Sequence, residues 1–301
     1  MECSEQLARL TARITVVYLV ATAALIAVFG QALTNRPGLV AAYLGGAVAL
    51  LLLQRYRSAS PIFRFLRDWH PIILFPVLYK EVEPLAAAMG DWRLTQAIPA
   101  VEAMLFAGQP SLYLSERLPF VPLSELLHFC YLAHVVVIPS VAGYWYISGR
   151  RVAFHELVLL LATVMLGSYF FFILFPVDSP YYLSEPPGPP LAGHFFYDLV
   201  HKVSDRGGAR GGAFPSAHVS GALVVCLVAW RRHRRLAFAL APVFVGIVFA
   251  TVYGRFHYVL DTTAGLAIAV AVVSTYRRFS PRGGNPQPGR PARQVVEFQK
   301  S

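Results

Sequence analysis

The stretch FHYVLDTTAGLAIAVAVVSTY, residues 256–276, is as long as a bilayer crossing and contains one formal charge, Asp261. About 20 predominantly apolar residues span the ~30 Å hydrocarbon core, so this run reads as a membrane-crossing helix. His257 and Asp261 sit at its mouth, where an ionisable group is costly unless something pairs with it or uses it, and they mark a functional site. Upstream, GGAFPSAH, residues 211–218, sets Ser216 and His218 at the start of another apolar run in the same way.

Runs without Asp, Glu, Lys or Arg lie at 14–33, 38–53, 126–147, 157–177, 214–230 and 236–254, which with 256–276 makes seven. In lipid the backbone must satisfy its own hydrogen bonds, and the breaks are too long and too basic for barrel hairpins. The predicted fold is therefore all-α, a polytopic transmembrane helical bundle. Composition agrees: 56% of residues are hydrophobic and 14% charged, against about 25% charged in an ordinary soluble domain. The excess of 26 Lys+Arg over 16 Asp+Glu lies largely in short breaks beside apolar runs. That pattern marks cytoplasmic loops against anionic headgroups and not a nucleic-acid surface. Cys3, Cys130 and Cys226 are far apart and suggest neither a disulfide framework nor a metal site. The run at 14–33 follows Arg9 and Arg13 as a signal peptide would, but its length favours an uncleaved first helix.

Basic residues set the orientation. Arg55, Arg57, Arg64 and Arg67 follow the second run, Arg150 and Arg151 the third, and Arg231, Arg232, Arg234 and Arg235 the fifth; Arg277, Arg278, Arg282, Arg290 and Arg293 close the chain. With all of these in the cytoplasm, His218 and His257 fall together at the non-cytoplasmic face. The same count requires one crossing between 68 and 93, predicted as a broken or tilted segment at 69–90 containing Pro71 and Pro76. Residues 94–122 read either as amphipathic segments in the outer interface or as a loop with short helices packed on the bundle. The polar break at 178–212, with Pro186, Pro187, Pro189 and Pro190, is a candidate lid or lipid entrance. Residues 1–279 read as a single membrane domain, its catalytic half from about 155, and 280–301 as a disordered cytoplasmic tail.

The chemistry rests on spacing. His257 and Asp261 are four apart, one helical turn, so the carboxylate can fix the tautomer of the imidazole and leave its other nitrogen as a nucleophile. Pro215 and the preceding glycines open a helix whose free N–H groups suit a phosphate, with Ser216 adding a hydroxyl. His218 can then serve as general acid. Arg255, with Arg206 or Arg210 from the preceding loop, can neutralise a transferring phosphoryl group. The bland reading of each piece is a helix brace for His257 and Asp261, a helix start for Ser216 and His218, solvated charges for Arg206 and Arg210, and interhelical hydrogen bonding for His128 and His134. What weighs against it is that all the reactive pieces map to one face.

FPSAH at 214–218 and GRFHYVLD at 254–261 resemble the second and third motifs of the type 2 phosphatidic acid phosphatase superfamily. The H-Y-x-x-D form, the following Gly265 and FPVDSP at 175–180 look most like its inositol phosphorylceramide synthase branch. The resemblance is specific over 157–276 and general in character before that. It implies a six-helix core, phosphoryl transfer through a phosphohistidine on His257, orientation by Asp261, His218 as acid and base, Ser216 in the phosphate pocket, and no metal or other cofactor. Two departures stand out. The first motif, a Lys followed seven residues later by Arg-Pro, is absent, and the Ser-Arg expected six and seven residues ahead of His257 is Thr251 and Ala250. Both departures are expected in the synthase-like branch.

The predicted function is a membrane phosphotransferase or phosphatase acting on a lipid phosphate or phospholipid, with a polyol such as inositol as a possible acceptor and a bacterial inner membrane as its setting. Simple hydrolysis is the alternative within the chemistry. A non-catalytic transporter or scaffold would be favoured by a lost His218, His257 or Asp261, and all three are present. A vanadium-dependent haloperoxidase shares the motifs but is typically soluble, which the seven apolar runs oppose.

Overall fold

The structure, a computed structural model, describes residues 2–55, 60–183 and 193–279. The expectations on Arg57, on the four prolines from Pro186 to Pro190 and on 280–301 lie outside the described residues. Among the described residues the apolar runs become helices: α1 (Glu2–Phe29), α2 (Arg36–Arg55), α3 (Pro61–Lys80), α4 (Val82–Met89), α5 (Arg93–Phe106), α6 (Pro110–Arg117), α7 (Val121–Ile147), α8 (Arg151–Leu174), α9 (Pro180–Leu183), α10 (Phe195–Gly207), α11 (Ala217–Arg232), α12 (Arg234–Tyr253) and α13 (Val259–Phe279). Six of these, α1, α2, α7, α8, α12 and α13, are long and apolar enough to cross a membrane. The chain is an all-α polytopic bundle.

Helix α8 is apolar on every side, and a helix of that kind belongs in the middle. Phe154, Leu157, Leu161, Phe172 and Ile173 are fully buried, and α1, α3, α4, α7, α11 and α13 pack around it. Polar contacts define its ends. At the N-terminal end, buried Glu156 accepts from Arg231 at 3.0 Å and pairs with Arg232, while Asp68 pairs with Arg67 at 3.2 Å and Arg151 at 3.7 Å. The arginine-rich breaks thus gather at one end of the bundle. His218 and His257 lie at the other.

Two expectations change. The run at 214–230 folds as α11, only 16 residues or about 24 Å at 1.5 Å per residue, short of the ~30 Å core. It is surrounded by α7, α8, α12 and α13. The irregular chain ahead of it is therefore covered by protein, the condition under which non-helical backbone is tolerated at membrane depth.

The crossing predicted at 69–90 begins instead at Pro61, runs unbroken through Pro71 and Pro76 to Lys80, and is followed by the separate α4. Arg64, Arg67 and Asp68 hid its first turns from a hydropathy reading; these charges sit at the polar end, where Asp68 meets His155 at 3.9 Å. Helix α3 then runs alongside α8 until Tyr79 packs on Tyr169, ring centroids 5.6 Å apart. Helix α3 thus links the two ends of the bundle, though it is not among the six helices apolar enough to cross a membrane. Residues 94–122 form the short helices α5 and α6, which bury Glu102, Ser111 and Ser115 and turn Met104, Leu105 and Phe106 outward.

Candidate active site

The site is built on the start of α13. Asp261 is fully buried; its Oδ2 accepts the backbone N–H of Tyr258 at 2.8 Å and lies 3.5 Å from His257 Nδ1. The same Nδ1 lies closer, at 2.9 Å, to the carbonyl oxygen of Ala213. A carbonyl can only accept, so Nδ1 carries the proton and Nε2 keeps its lone pair. That Nε2 is 3.4 Å from Nδ1 of His218. The tautomer expected from Asp261 alone is thus held jointly by a carboxylate and a backbone carbonyl.

Ser216 joins the two motifs. It caps α11, its hydroxyl accepting from Val219 N–H at 3.3 Å, and its own N–H donates to the Asp261 carbonyl at 3.0 Å. Gly265 faces it so closely that a Cβ there would lie 2.5 Å from the Ser216 carbonyl oxygen. Only glycine permits that approach of α13 to the start of α11.

The loop before Ser216 is clamped by the 175–180 stretch. Val177 N–H donates to the Gly211 carbonyl and Ala213 N–H to the Val177 carbonyl, both at 3.0 Å. The Asp178 carboxylate accepts from Gly211 N–H at 3.0 Å and from Arg210 at 2.5 Å. Gly211 has φ 84°, and a Cβ on it would meet the Pro176 Cβ at 2.7 Å. This clamp sets the height of Ala213, and so the carbonyl that orients His257.

His218 and His257 open on a cavity of about 40 Å³ walled by Tyr79, Tyr131, Tyr181, Tyr182 and Phe256. The ring of His218 stacks on Tyr131 with centroids 4.9 Å apart. A third imidazole, His134 on α7, lies 4.8 Å from His218 with its Nδ1 buried and unpartnered among the described residues. Sequence spacing assigned His134 to interhelical hydrogen bonding; it faces the site instead. Gly221 makes the room, since a Cβ there would be 3.3 Å from His134 Cε1. His128, assigned to the same interhelical role, bonds within its own helix instead, donating to the Ser124 carbonyl at 2.6 Å.

His257, His218, Asp261 and Ser216 are brought together. The arginines are not in the cavity wall. Arg210 is tied to Asp178. Arg255, in the left-handed region at φ 64° and 7% exposed, donates Nε to the Ser115 hydroxyl at 2.9 Å while its Nη2 is buried without a partner among the described residues. A non-glycine residue held at positive φ beside reactive groups is a strained position that the surrounding structure must support. Lys80, at the rim, donates Nζ to the Arg206 carbonyl.

Glu102 on α5 is a site residue that the spacing of motifs did not reveal. It is fully buried, and its Oε1 accepts Val259 N–H at 2.5 Å, satisfying a free donor in the first turn of α13. Burial, and then the neighbouring Asp261 charge, push its carboxyl up to about 7, against the backbone hydrogen bonds that favour ionisation. The acid is raised above its ordinary 4.5 in the folded state, so the stability it lends is complete below about 4.5 and is lost as pH rises through about 7. Melting temperature in detergent is expected to fall across that window, and Glu102→Gln to flatten the fall. An identical slope in the variant would remove Glu102 as its source.

The fold and site together define a polytopic helical membrane protein with paired histidines and a buried carboxylate at one end of its bundle. The chain belongs to the PAP2 superfamily, whose family profile matches residues 92–275. No curated protein and no solved structure matches it. The superfamily consists mostly of phosphatases and phosphotransferases, which supports a phosphatase-type enzyme.

Proposed function

We propose that the protein transfers a phospho group from a membrane lipid, a lipid phosphate or phospholipid, to an alcohol such as inositol, in the manner of the inositol phosphorylceramide synthase branch. The observation that carries this is the His257 Nε2 to His218 Nδ1 distance of 3.4 Å at the mouth of the cavity, with the other His257 nitrogen occupied by Ala213. Nε2 attacks phosphorus as the bond to the lipid oxygen breaks, and His218 delivers a proton to that oxygen. In the second half His218 takes the proton of the acceptor hydroxyl, which attacks phosphorus and breaks the P–N bond. Ser216, Arg255 and Arg210 serve the phosphate in this reading, Arg255 with the nitrogen it has free, and Arg210 after exchanging Asp178 for the substrate.

The hydroxyls of Tyr79, Tyr181, Tyr182, Ser179 and Ser204 around the cavity are donors and acceptors of the kind a polyol pairs with. The aromatic walls limit water, which favours transfer over hydrolysis. The active site faces the non-cytoplasmic side of a bacterial inner membrane in this proposal, because the arginine-rich end lies opposite.

The test follows labelled phosphorus from a phospholipid and from a lipid phosphate, with and without myo-inositol and with EDTA throughout. Phosphorus in an inositol-containing product is the expected result. Free phosphate indifferent to inositol would make the protein a lipid phosphatase and overturn the transferase reading.

A further inference from the structure

At the end of the bundle away from the histidines, the N-terminal turns of α1, α3 and α8 and the last turn of α2 enclose a cavity of about 300 Å³. Arg9, Arg64, Arg67 and Gln54 line it, and Arg151 lines its continuation past Asp68. Four arginines meet two carboxylates there: Glu5, 3.8 Å from Arg9, and Asp68, paired with Arg67 and Arg151. The balance is positive with His155 neutral. Gln54 contributes a buried Nε2 that has no hydrogen-bond partner among the described residues.

Beside this cavity a mostly apolar groove of about 490 Å³ lies between α2 and α3, with His70 and Glu81 as its ionisable lining. Leu53 and Leu66 of the groove are the chain neighbours of Gln54 and Arg67 of the cavity. Leu19, Leu50, Ile73 and Val77 line the groove, as does Tyr43, 6% exposed and with its hydroxyl unpartnered among the described residues. A positive, partly enclosed cavity beside an apolar furrow has the shape and polarity of one molecule type, an amphiphile with an anionic head.

We propose that this cavity and groove bind a membrane phospholipid with a net negative headgroup, its phosphate among Arg9, Arg64 and Arg67 and one acyl chain between α2 and α3. The site is distinct from the catalytic one. Twelve residues of α3 separate Arg67 from Tyr79, about 18 Å of helix, and the proposal does not depend on what reaction the histidines perform.

The experiment uses the full chain in nanodiscs of equal phosphatidylcholine and phosphatidylglycerol, released into detergent and weighed by native mass spectrometry. Wild type is expected to retain phosphatidylglycerol over phosphatidylcholine by on the order of 10-fold, the scale of one to two arginine–headgroup contacts. Arg64→Gln with Arg67→Gln should abolish that preference. Gly46→Leu should lower retention of either lipid, since Gly46 lines the groove and a Cβ on it meets nothing closer than Leu19 at 3.8 Å, leaving the larger side chain to fill the furrow. His257→Ala should bind as wild type does. Equal retention of the two lipids, or a preference that survives the double variant, would overturn the proposal. Displacement by inorganic phosphate would do so too, by showing a site for soluble anions.

Discussion

His257→Ala loses turnover by on the order of 10³-fold or more while remaining folded, since removing a nucleophile that works as a unit with its neighbours eliminates nearly the whole chemical advantage. The ring bonds Ala213 through Nδ1, lies 3.5 Å from Asp261 and meets His218 through Nε2, so truncating it costs about 1–3 kcal/mol of net stability. Activity and stability therefore separate in this variant. Asp261→Asn does not separate them so cleanly, because Asp261 also holds the N–H of Tyr258 in a fully buried place. Measurement is of product formation in detergent together with a melting curve. A His257→Ala protein that melts like wild type and still turns substrate over at a tenth of the normal rate would end the phosphohistidine mechanism.

Much of this was legible in the sequence, for reasons that differ from element to element. Apolar length is a direct physical requirement of the bilayer, so the spans at 14–33, 38–53, 126–147, 157–177, 236–254 and 256–276 could be read off without knowing their neighbours. The four-residue spacing of His257 and Asp261 suggested one helical turn, whereas His257 lies in a bend two residues ahead of α13, and the bend rather than a helix brings its Nδ1 to 3.5 Å from the Asp261 carboxylate. Helix α3 was misplaced at its start because its first turns lie in the polar end, where charges are satisfied by Arg151 and His155 from another helix. Nothing local announces that pairing. His134 and Glu102 were missed for the same reason. Neither belongs to a motif on its own helix, and each acquires meaning only from what α11 and α13 place opposite it. One signal was available, since Gly221 recurs three residues after His218 and a glycine inside a spanning helix invites a close neighbour.

The family match also starts at residue 92, well before the motifs at 175, 214 and 254. Geometry explains why so plain a stretch as α5 and α6 belongs to the unit. Glu102 satisfies a backbone donor at the start of α13, and Ser115 receives Arg255. Both short helices support the residues flanking His257, which is a role in position and not in composition. The loop arginines show the opposite case. Their charge was legible and their direction was not, because Asp178, 32 residues from Arg210, decides where that guanidinium points.

His218→Gln should slow transfer from a lipid alkyl phosphate by ~10²- to 10⁴-fold, the usual range for a lost general acid. The size of the loss depends on the leaving group. An alkoxide needs a proton as it departs, whereas nitrophenolate does not, so the variant should form phosphoenzyme from nitrophenyl phosphate at nearly the wild-type rate. It should then stall, because the same imidazole is required to deprotonate the acceptor in the second half. The expected trace is a stoichiometric burst of nitrophenol followed by slow turnover, with acid-labile phosphorus trapped on the protein. Glutamine preserves much of the contact with Tyr131 and His134, whose rings lie 4.9 and 4.8 Å from that of His218, so collapse of the cavity wall is not the readout. Equal losses with both leaving groups would mean that His218 shapes the cavity rather than moving the proton. The 3.4 Å contact between the two imidazoles would then be packing alone.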